Sequence, residues 1–405
     1  MRKGWQTKRL GDFSAAVSTG PFGSILHKSD YVDDGVPLVN PINIVGDGIV
    51  PDPSKLISDV TIKRLSNYVL EEGDVVVGRR GEIGRCAVVG ANERGWVCGT
   101  GSFFIRPLPS LDSQFLAHLI RSPEYREQLE KLSTGATMKN LSNTALGDLV
   151  VSVPPLPEQQ RIVGLLDEAF ESIATAEANA EKNLRNASAL FESHLQSVFT
   201  QRGPGWVETT LSQATGGIFT GPFGSLLHKS DYVANGIPLV NPAHITEVGI
   251  EPDLRKTVSK ATAMRLKSYI MRERDIVIGR RGEMGRCALV TEVEDGWLCG
   301  TGSFFIKPAS RCDTRYLVRF LRSESCKARL EKIAGGAVMP NLSNTDLGYL
   351  HFDLPPLDRQ KAIVQEIDSL HEETQRLARL YERKLAALEA LKKSLLHQAF
   401  TGQLQ

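Results

Sequence analysis

Residues 158–200 read EQQRIVGLLDEAFESIATAEANAEKNLRNASALFESHLQSVFT, a stretch with no proline and with Gly164 as its one glycine. It opens after a proline-rich brake, Val153-Pro154-Pro155-Leu156-Pro157. Ile162, Leu166, Ala169, Ile173, Ala176, Ala180, Ala187 and Leu190 recur at helical spacing. That pattern predicts one amphipathic helix with coiled-coil character. At the rise of an α-helix it spans roughly 65 Å, more than the width of a small domain. A twin, Arg359 to Thr401, follows Leu354-Pro355-Pro356-Leu357. Two such rods leave the rest of the 405 residues as two globular blocks.

Working outward from the rods, the chain is one unit written twice, with an offset of 201. Thr19-Gly20-Pro21-Phe22-Gly23-Ser24 returns as Thr220 to Ser225, and His27-Lys28-Ser29-Asp30-Tyr31-Val32 returns as His228 to Val233. Gly78-Arg79-Arg80-Gly81-Glu82-Ile83-Gly84-Arg85-Cys86 returns as Gly279 to Cys287, with Met284 in place of Ile83. Cys98 to Ile105 and Asn140-Leu141-Ser142-Asn143-Thr144 repeat unchanged at Cys299 to Ile306 and Asn341 to Thr345. This period is too long for a solenoid, so each unit is expected to be a whole domain plus a rod.

Within a unit, Val75-Val76-Val77 and Gly101 to Ile105 predict buried strands, and Leu111 to Leu132 predicts a helix. The expected fold class is α+β. Two duplicated mixed α/β domains, residues 1–157 and 202–358, are joined and spaced by helices at 158–201 and 359–405. The rods are expected to pair antiparallel, giving a pseudo-two-fold arrangement. Their seams complement each other: Ala169, Ala176, Ala180 and Ala187 correspond to Leu370, Leu377, Tyr381 and Leu388. Charge does too, with three basic and seven acidic residues in 158–200 against eight basic and six acidic in 359–401.

Composition excludes several classes. The chain is 41% hydrophobic and 23% charged with net charge +1, and no apolar run approaches the ~18 residues of a membrane span. The first residues lack the apolar centre of a signal peptide. Six cysteines over this length suggest a reducing, cytoplasmic setting rather than a disulfide scaffold. Near-neutral charge gives no bulk electrostatic case for nucleic acid, so such a function must rest on local clusters.

No catalytic constellation is present. There is no phosphate loop ending in Gly-Lys-Ser/Thr, no Gly-x-Ser-x-Gly elbow and no His-Glu-x-x-His site. Cys86 and Cys98 have poor zinc spacing and are expected to be buried small hydrophobes. No catalytic residue, metal ligand or cofactor is therefore expected. Glu82 and Glu283 follow arginines within a tight turn, where an internal ion pair is the plain reading. The glycine-rich stretches offer more. Glycine lets backbone approach a ligand closely, and arginine forks match phosphate oxygens and guanine edges. Two such clusters at fixed separation would suit the symmetry of a duplex.

Through these residues the chain resembles the specificity subunit of type I restriction–modification systems over its whole length. The likeness lies in Gly20 to Ser24, Gly78 to Cys86, Gly101 to Ile105, Asn140 to Thr144, and Pro154-Pro155-Leu156-Pro157-Glu158-Gln159-Gln160-Arg161-Ile162-Val163. The resemblance implies two target-recognition domains, each reading one half of a bipartite site in double-stranded DNA, with the helices setting the spacing. It implies as partners two modification subunits carrying the methyltransferase, and restriction subunits carrying nuclease and translocase. It implies no catalysis in this chain, and no membrane partner is expected.

Candidate DNA contacts are Ser24, Lys28, Arg79, Arg80, Arg85, Lys139 and Asn140, with repeat partners Ser225, Lys229, Arg280, Arg281, Arg286 and Asn341. Arg79 and Arg80 lead that set. Because the two copies are so alike, the half-sites are expected to be near-identical and inverted. The copies diverge mainly in Ile42 to Asn67 against Ala243 to Ser268, Val88 to Val97 against Leu289 to Leu298, and Thr134 to Lys139 against Ala334 to Pro340. Two rival readings are a coiled-coil adaptor binding proteins alone and a nucleotide-dependent enzyme using the glycine loops. The first leaves the duplicated arginine turns unexplained, and the second lacks a phosphate-loop lysine and any acid–base set.

Overall fold

The computed structural model describes residues 4–21, 25–133, 140–223, 226–335, 341–401 and 403–404. It divides into two compact units, Met1–Glu181 with Glu382–Gln405, and Lys182–Tyr381. Each unit thus combines one repeat's globular part with a portion of both long helices.

The first unit is built on an antiparallel sheet in the order Ser14–Thr19, Ser102–Pro107, Val75–Gly78, Cys86–Val88. Val75 and Val77, with Phe103 and Ile105, face a core shared with Phe115, Leu116, Leu119 and Ile120 of the helix Ser113–Arg121. Val76, with Ala87 and Phe104, faces a smaller core containing Val39, Ile44, Leu70 and Cys98. A strand covered on both faces needs no polar alternation, which is why the sequence there is a continuous apolar run. A second small sheet pairs Val36–Val39 in parallel with Val97–Cys98 and antiparallel with Leu56–Ile57. Gln6–Arg9 pairs with Val150–Val153 and ties the two ends of the domain together.

The helix expected over Leu111 to Leu132 is two helices, Ser113–Arg121 and Pro123–Leu132. Ser122 N–H closes the first on Leu119 O, and Pro123 opens the second at a position where its missing N–H is not needed.

The second unit repeats this plan. Its central sheet runs Gly217–Thr220, Ser303–Lys307, Ile276–Gly279, Cys287–Leu289, and Val207–Thr210 pairs with His351–Leu354. The units differ in the divergent segment. Ile44–Val45 and Gly48–Ile49 form a small hairpin in the first, whereas the second has a single bridge, Ile245 to Ile250.

The long helices run Leu156–Thr200 and Leu357–Thr401, two residues earlier at their starts than the sequence pattern placed them. A buried glutamine fixes each start. Gln159 Oε1 accepts from Asp112 N–H (2.7 Å), while Nε2 donates to Ser110 O (2.9 Å) and Pro154 O (2.8 Å). Gln360 makes the same three bonds to Asp313, Arg311 and Pro355. In the first unit, Ile162 and Leu166 share a core with Leu396 and Ala399, and Phe400 lies edge-on to Phe115 at 5.3 Å. In the second unit, Ile363, Val364 and Ile367 share a core against which Phe191, Leu195, Val198 and Phe199 pack. Within each unit the start of one rod therefore lies beside the end of the other, which is the antiparallel pairing. The buried seam of the first rod follows a heptad through Leu166, Ile173, Ala180 and Ala187. Leu190 falls outside it and is 60% exposed.

Candidate functional site

The duplicated glycine motifs meet at one end of each central sheet. In the first unit Thr19 stands opposite Phe103 and Gly78 opposite Ser102, so the ends of two strands lie beside the start of a third. Gly20 N–H donates to Ser102 O at 3.0 Å. A Cβ on Gly20 would sit 2.0 Å from Gly99 O, and one on Gly221 would sit 1.9 Å from Gly300 O. Only glycine fits there. The Asn40-Pro41 turn closes the other side, where Cβ atoms on Gly99 and Gly101 would meet Asn40 and Pro41. Of the candidate contacts, Ser24, Lys139 and Ser225 lie outside the described residues.

From this junction projects the arginine turn, bent by Gly81 (φ +78°) and Gly84 (φ +84°) in the left-handed region that favours glycine. Its three arginines have separate roles. Arg79 is half-buried; its Nε donates to Leu141 O (3.1 Å) and its guanidinium lies 5.8 Å from the Phe103 ring. Burial, and then the charge of Arg80, lower its pKa from the ordinary arginine value. Arg280 repeats this with Leu342 O at 2.9 Å and the Phe304 ring at 5.8 Å. Arg85 is forked onto Glu82, with Nε at 3.2 Å and Nη2 at 2.6 Å, and Arg286 is forked onto Glu283 in the same way. The internal ion pair read from the sequence is present in both units. Arg126 also donates to Glu82 (2.5 Å), so hydrogen bonds from Arg85 and then Arg126 hold that carboxyl below the usual carboxylate range.

Arg80 and Arg281 are the exposed arginines of their turns. An isolated antiparallel bridge joins Arg80 to Asn140, and another joins Arg281 to Asn341. In the second unit Arg281 Nε donates to Asn341 Oδ1 at 3.2 Å. The structure therefore brings Arg79, Arg80, Arg85 and Asn140 together, and Arg280, Arg281, Arg286 and Asn341 likewise. Lys28 and Lys229 are exposed on short turns capped by Asp30 and Asp231. Those carboxylates pair with Arg64 (2.5 Å) and Arg265 (2.8 Å), so much of the duplicated His-Lys-Ser-Asp motif builds the turn itself. Among the described residues, no hydrogen bond or ion pair joins either lysine to the arginine turn.

Two duplicated motifs proved largely architectural. In Asn140 to Thr144, Leu141 is fully buried and Ser142 caps the helix Asn143–Gly147 by accepting from Ala145 N–H. The glutamine clamp at Gln159 and Gln360 escaped the sequence reading. Its signal was the retention of glutamine while Glu158 became Arg359 beside it. All six cysteines are free and buried, and burial pushes the Cys86 thiol up to about 11. Among the described residues no His, Cys, Asp and Glu cluster could hold a metal, and no helix is long and apolar enough to cross a membrane.

The sequence matches the family described as Type I restriction modification DNA specificity domain over residues 2–184 and 224–383. It is 23% identical to the type I restriction enzyme StySPI specificity subunit of Salmonella potsdam, covering 76% of this chain and 69% of that one. It is 22% identical to the putative MjaX specificity subunit of Methanocaldococcus jannaschii, covering 99% of this chain and 94% of that one. The fold is similar to the crystal structure of the HsdS subunit from Thermoanaerobacter tengcongensis (TM-score 0.68, 21% identity, 99% of this chain and 98% of that one). A structure described as the basis of complex assembly and conformational transition of the type I R-M system gives TM-score 0.73 at 21% identity, covering 99% of this chain and 98% of that one.

Proposed function

This chain belongs to the family of type I restriction–modification DNA specificity subunits, and from that membership we propose how it works. Each of its two target-recognition domains reads one half of a bipartite site in double-stranded DNA. The chain performs no catalysis. Modification subunits dock on it and supply methyl transfer, restriction subunits supply cleavage and translocation, and the complex works in the cytoplasm. The long helices set the distance between the half-sites.

One observation carries this reading. The same glycine-walled junction, with one exposed arginine beside one asparagine, occurs in both units. Duplicated cationic turns of this kind suit phosphates and guanine edges, and nothing in a protein adaptor requires them. Arg80 and Arg281 are the leading contacts. Arg79 and Arg280 support the loop that carries them, and Arg85 and Arg286 are already partly neutralised by glutamate. The modest net charge fits a subunit whose partners supply much of the phosphate contact.

The likeness of the two sites supports near-identical half-sites. Antiparallel pairing of the rods supports their arrangement as inverted repeats. Methylation-sensitive sequencing of a host expressing this chain with its modification subunits tests the proposal. The expected motif has two half-sites differing by at most a base or two. Two unrelated half-sites would overturn the inverted-repeat reading.

A further inference from the structure

The geometry points to Asn140 and Asn341 as positioning residues that aim Arg80 and Arg281, rather than as DNA contacts in their own right. This rests on the DNA-reading role proposed above and assigns a part within it.

In the second unit the backbone of Asn341 is fixed on two sides. Its N–H and C=O pair with Gly335 (2.8 and 3.1 Å), and a bridge joins it to Arg281. Leu342 N–H donates to Arg280 O at 3.1 Å, which locks the same register. On this frame Asn341 Oδ1 takes the Nε–H of Arg281 at 3.2 Å. A guanidinium held at Nε has lost one edge to the protein. The edge made by its two Nη groups remains, and that edge forks onto a pair of acceptors. The first unit holds the same two residues in the same bridge. There Arg80 is exposed, and Asn140 Oδ1 is buried with no hydrogen-bond partner among the described residues. A buried amide oxygen left open in one copy and filled by arginine in the other marks the place where Arg80 docks.

The ligand is a bidentate acceptor, either the O6/N7 edge of a guanine or a pair of phosphate oxygens. These sources leave different signatures. Losing a guanine contact flattens preference at one base pair and leaves the salt dependence unchanged. Losing a phosphate contact weakens all duplexes alike and lowers the slope of log K against log salt by about 0.9.

The test titrates the full chain, assembled with its modification subunits, onto a duplex carrying the sequenced motif and onto its single-base variants, at several salt concentrations. Arg281→Ala is expected to weaken binding about tenfold or more and to show one of the two signatures. Asn341→Ala should reproduce that signature in smaller measure. Asn341→Asp, which keeps an acceptor for Nε, should restore it. The Arg281→Ala/Asn341→Ala double variant should bind no more weakly than Arg281→Ala alone. An Asn341→Ala protein with the wild-type signature, or a double variant whose losses add, would overturn the positioning role and leave the DNA-reading role standing. An Arg281→Ala protein with neither signature would overturn the arginine's part in DNA reading itself.

Discussion

His118 Nε2 lies 2.9 Å from Asp167 Oδ1, and at the equivalent place in the second repeat Arg319 Nη2 lies 2.6 Å from Asp368 Oδ1. Both contacts fasten a domain helix to a long helix, but one of them titrates. His118 is 3% exposed, its Nδ1 has no hydrogen-bond partner among the described residues, and the Phe170 ring stands edge-on at 5.5 Å. This is the setting of a neutral imidazole donating from Nε2.

Burial therefore lowers the pKa of His118 from the ordinary value of 6.5, with the hydrogen bond to Asp167 opposing it. Below that value the unfolded chain takes up the proton first. The stability of the first unit is then full above pH 6.5 and falls as the pH drops through the depressed native pKa. Amide exchange in Ser113–Arg121 should quicken between pH 7.5 and 5.5, after correction for intrinsic rates, more than in Thr314–Arg322. His118→Gln should remove the difference. Equal pH dependence of the two helices would refute it.

Asp74 is 1% exposed and is forked by Arg106, with bonds of 2.9 and 2.8 Å. Its counterpart Asp275 is 3% exposed and faces Lys307, and burial raises its carboxyl pKa above the ordinary range. Lysine cannot make the fork. Lys307→Arg should stabilise the second unit by about 1 kcal/mol and Arg106→Lys should weaken the first by a similar amount. Denaturant unfolding monitored unit by unit checks both.

Gln159→Leu would leave Asp112 N–H, Ser110 O and Pro154 O without their buried partner. A loss of about 2–4 kcal/mol is expected in thermal or urea unfolding, and Gln360→Leu should match it. A loss below about 0.5 kcal/mol, the range of an ordinary surface change, would show that the clamp is dispensable.

Two glycines should respond oppositely to alanine. At Gly20 the new Cβ would collide with Gly99 O, whereas at Gly164 nothing lies within 4 Å. Gly20→Ala should cost about 3 kcal/mol or prevent folding of the first unit. Gly164→Ala, inside a helix, should gain about 0.5–1 kcal/mol. Melting temperatures of the two variants give the comparison.

Halves of the chain should dimerise unequally. Residues 1–201 would have to supply Val198 where the first unit buries Ala399 at 0% exposure, and would set Ala180 and Ala187 against small residues of the same seam. Residues 202–405 carry Leu370, Leu377, Tyr381 and Leu388 on theirs. Sedimentation should show the second fragment dimerising better. Equal association would mean that the size difference between the seams is irrelevant.

The rods, the repeat and the buried strands were legible because periodicity and duplication are properties of sequence. Leu190 shows the limit of that reading: it stands four heptads after Ile162, yet Ile162 is buried and Leu190 is exposed, a difference made by what each meets in the fold. The arginine turn was legible as a cluster and illegible as a division of labour. Arg79, Arg80 and Arg85 are alike in type. Leu141 O and the Phe103 ring, from distant parts of the chain, claim the first, whereas Glu82, three residues away, claims the third in the ion pair that the sequence did suggest. The glutamine clamp hid because its meaning depends on Ser110 O and Asp112 N–H, in a loop nearly fifty residues away.

The interleaving of the rods also dictates an order of events during synthesis. Residues 182–381 are continuous in the chain and hold every part of the second unit, so that unit can close once they leave the ribosome. The first unit emerges earlier but keeps a gap in its core where Leu396 and Ala399 belong. What is translated first is finished last, and until then its open helix is the surface most in need of protection from neighbouring nascent chains.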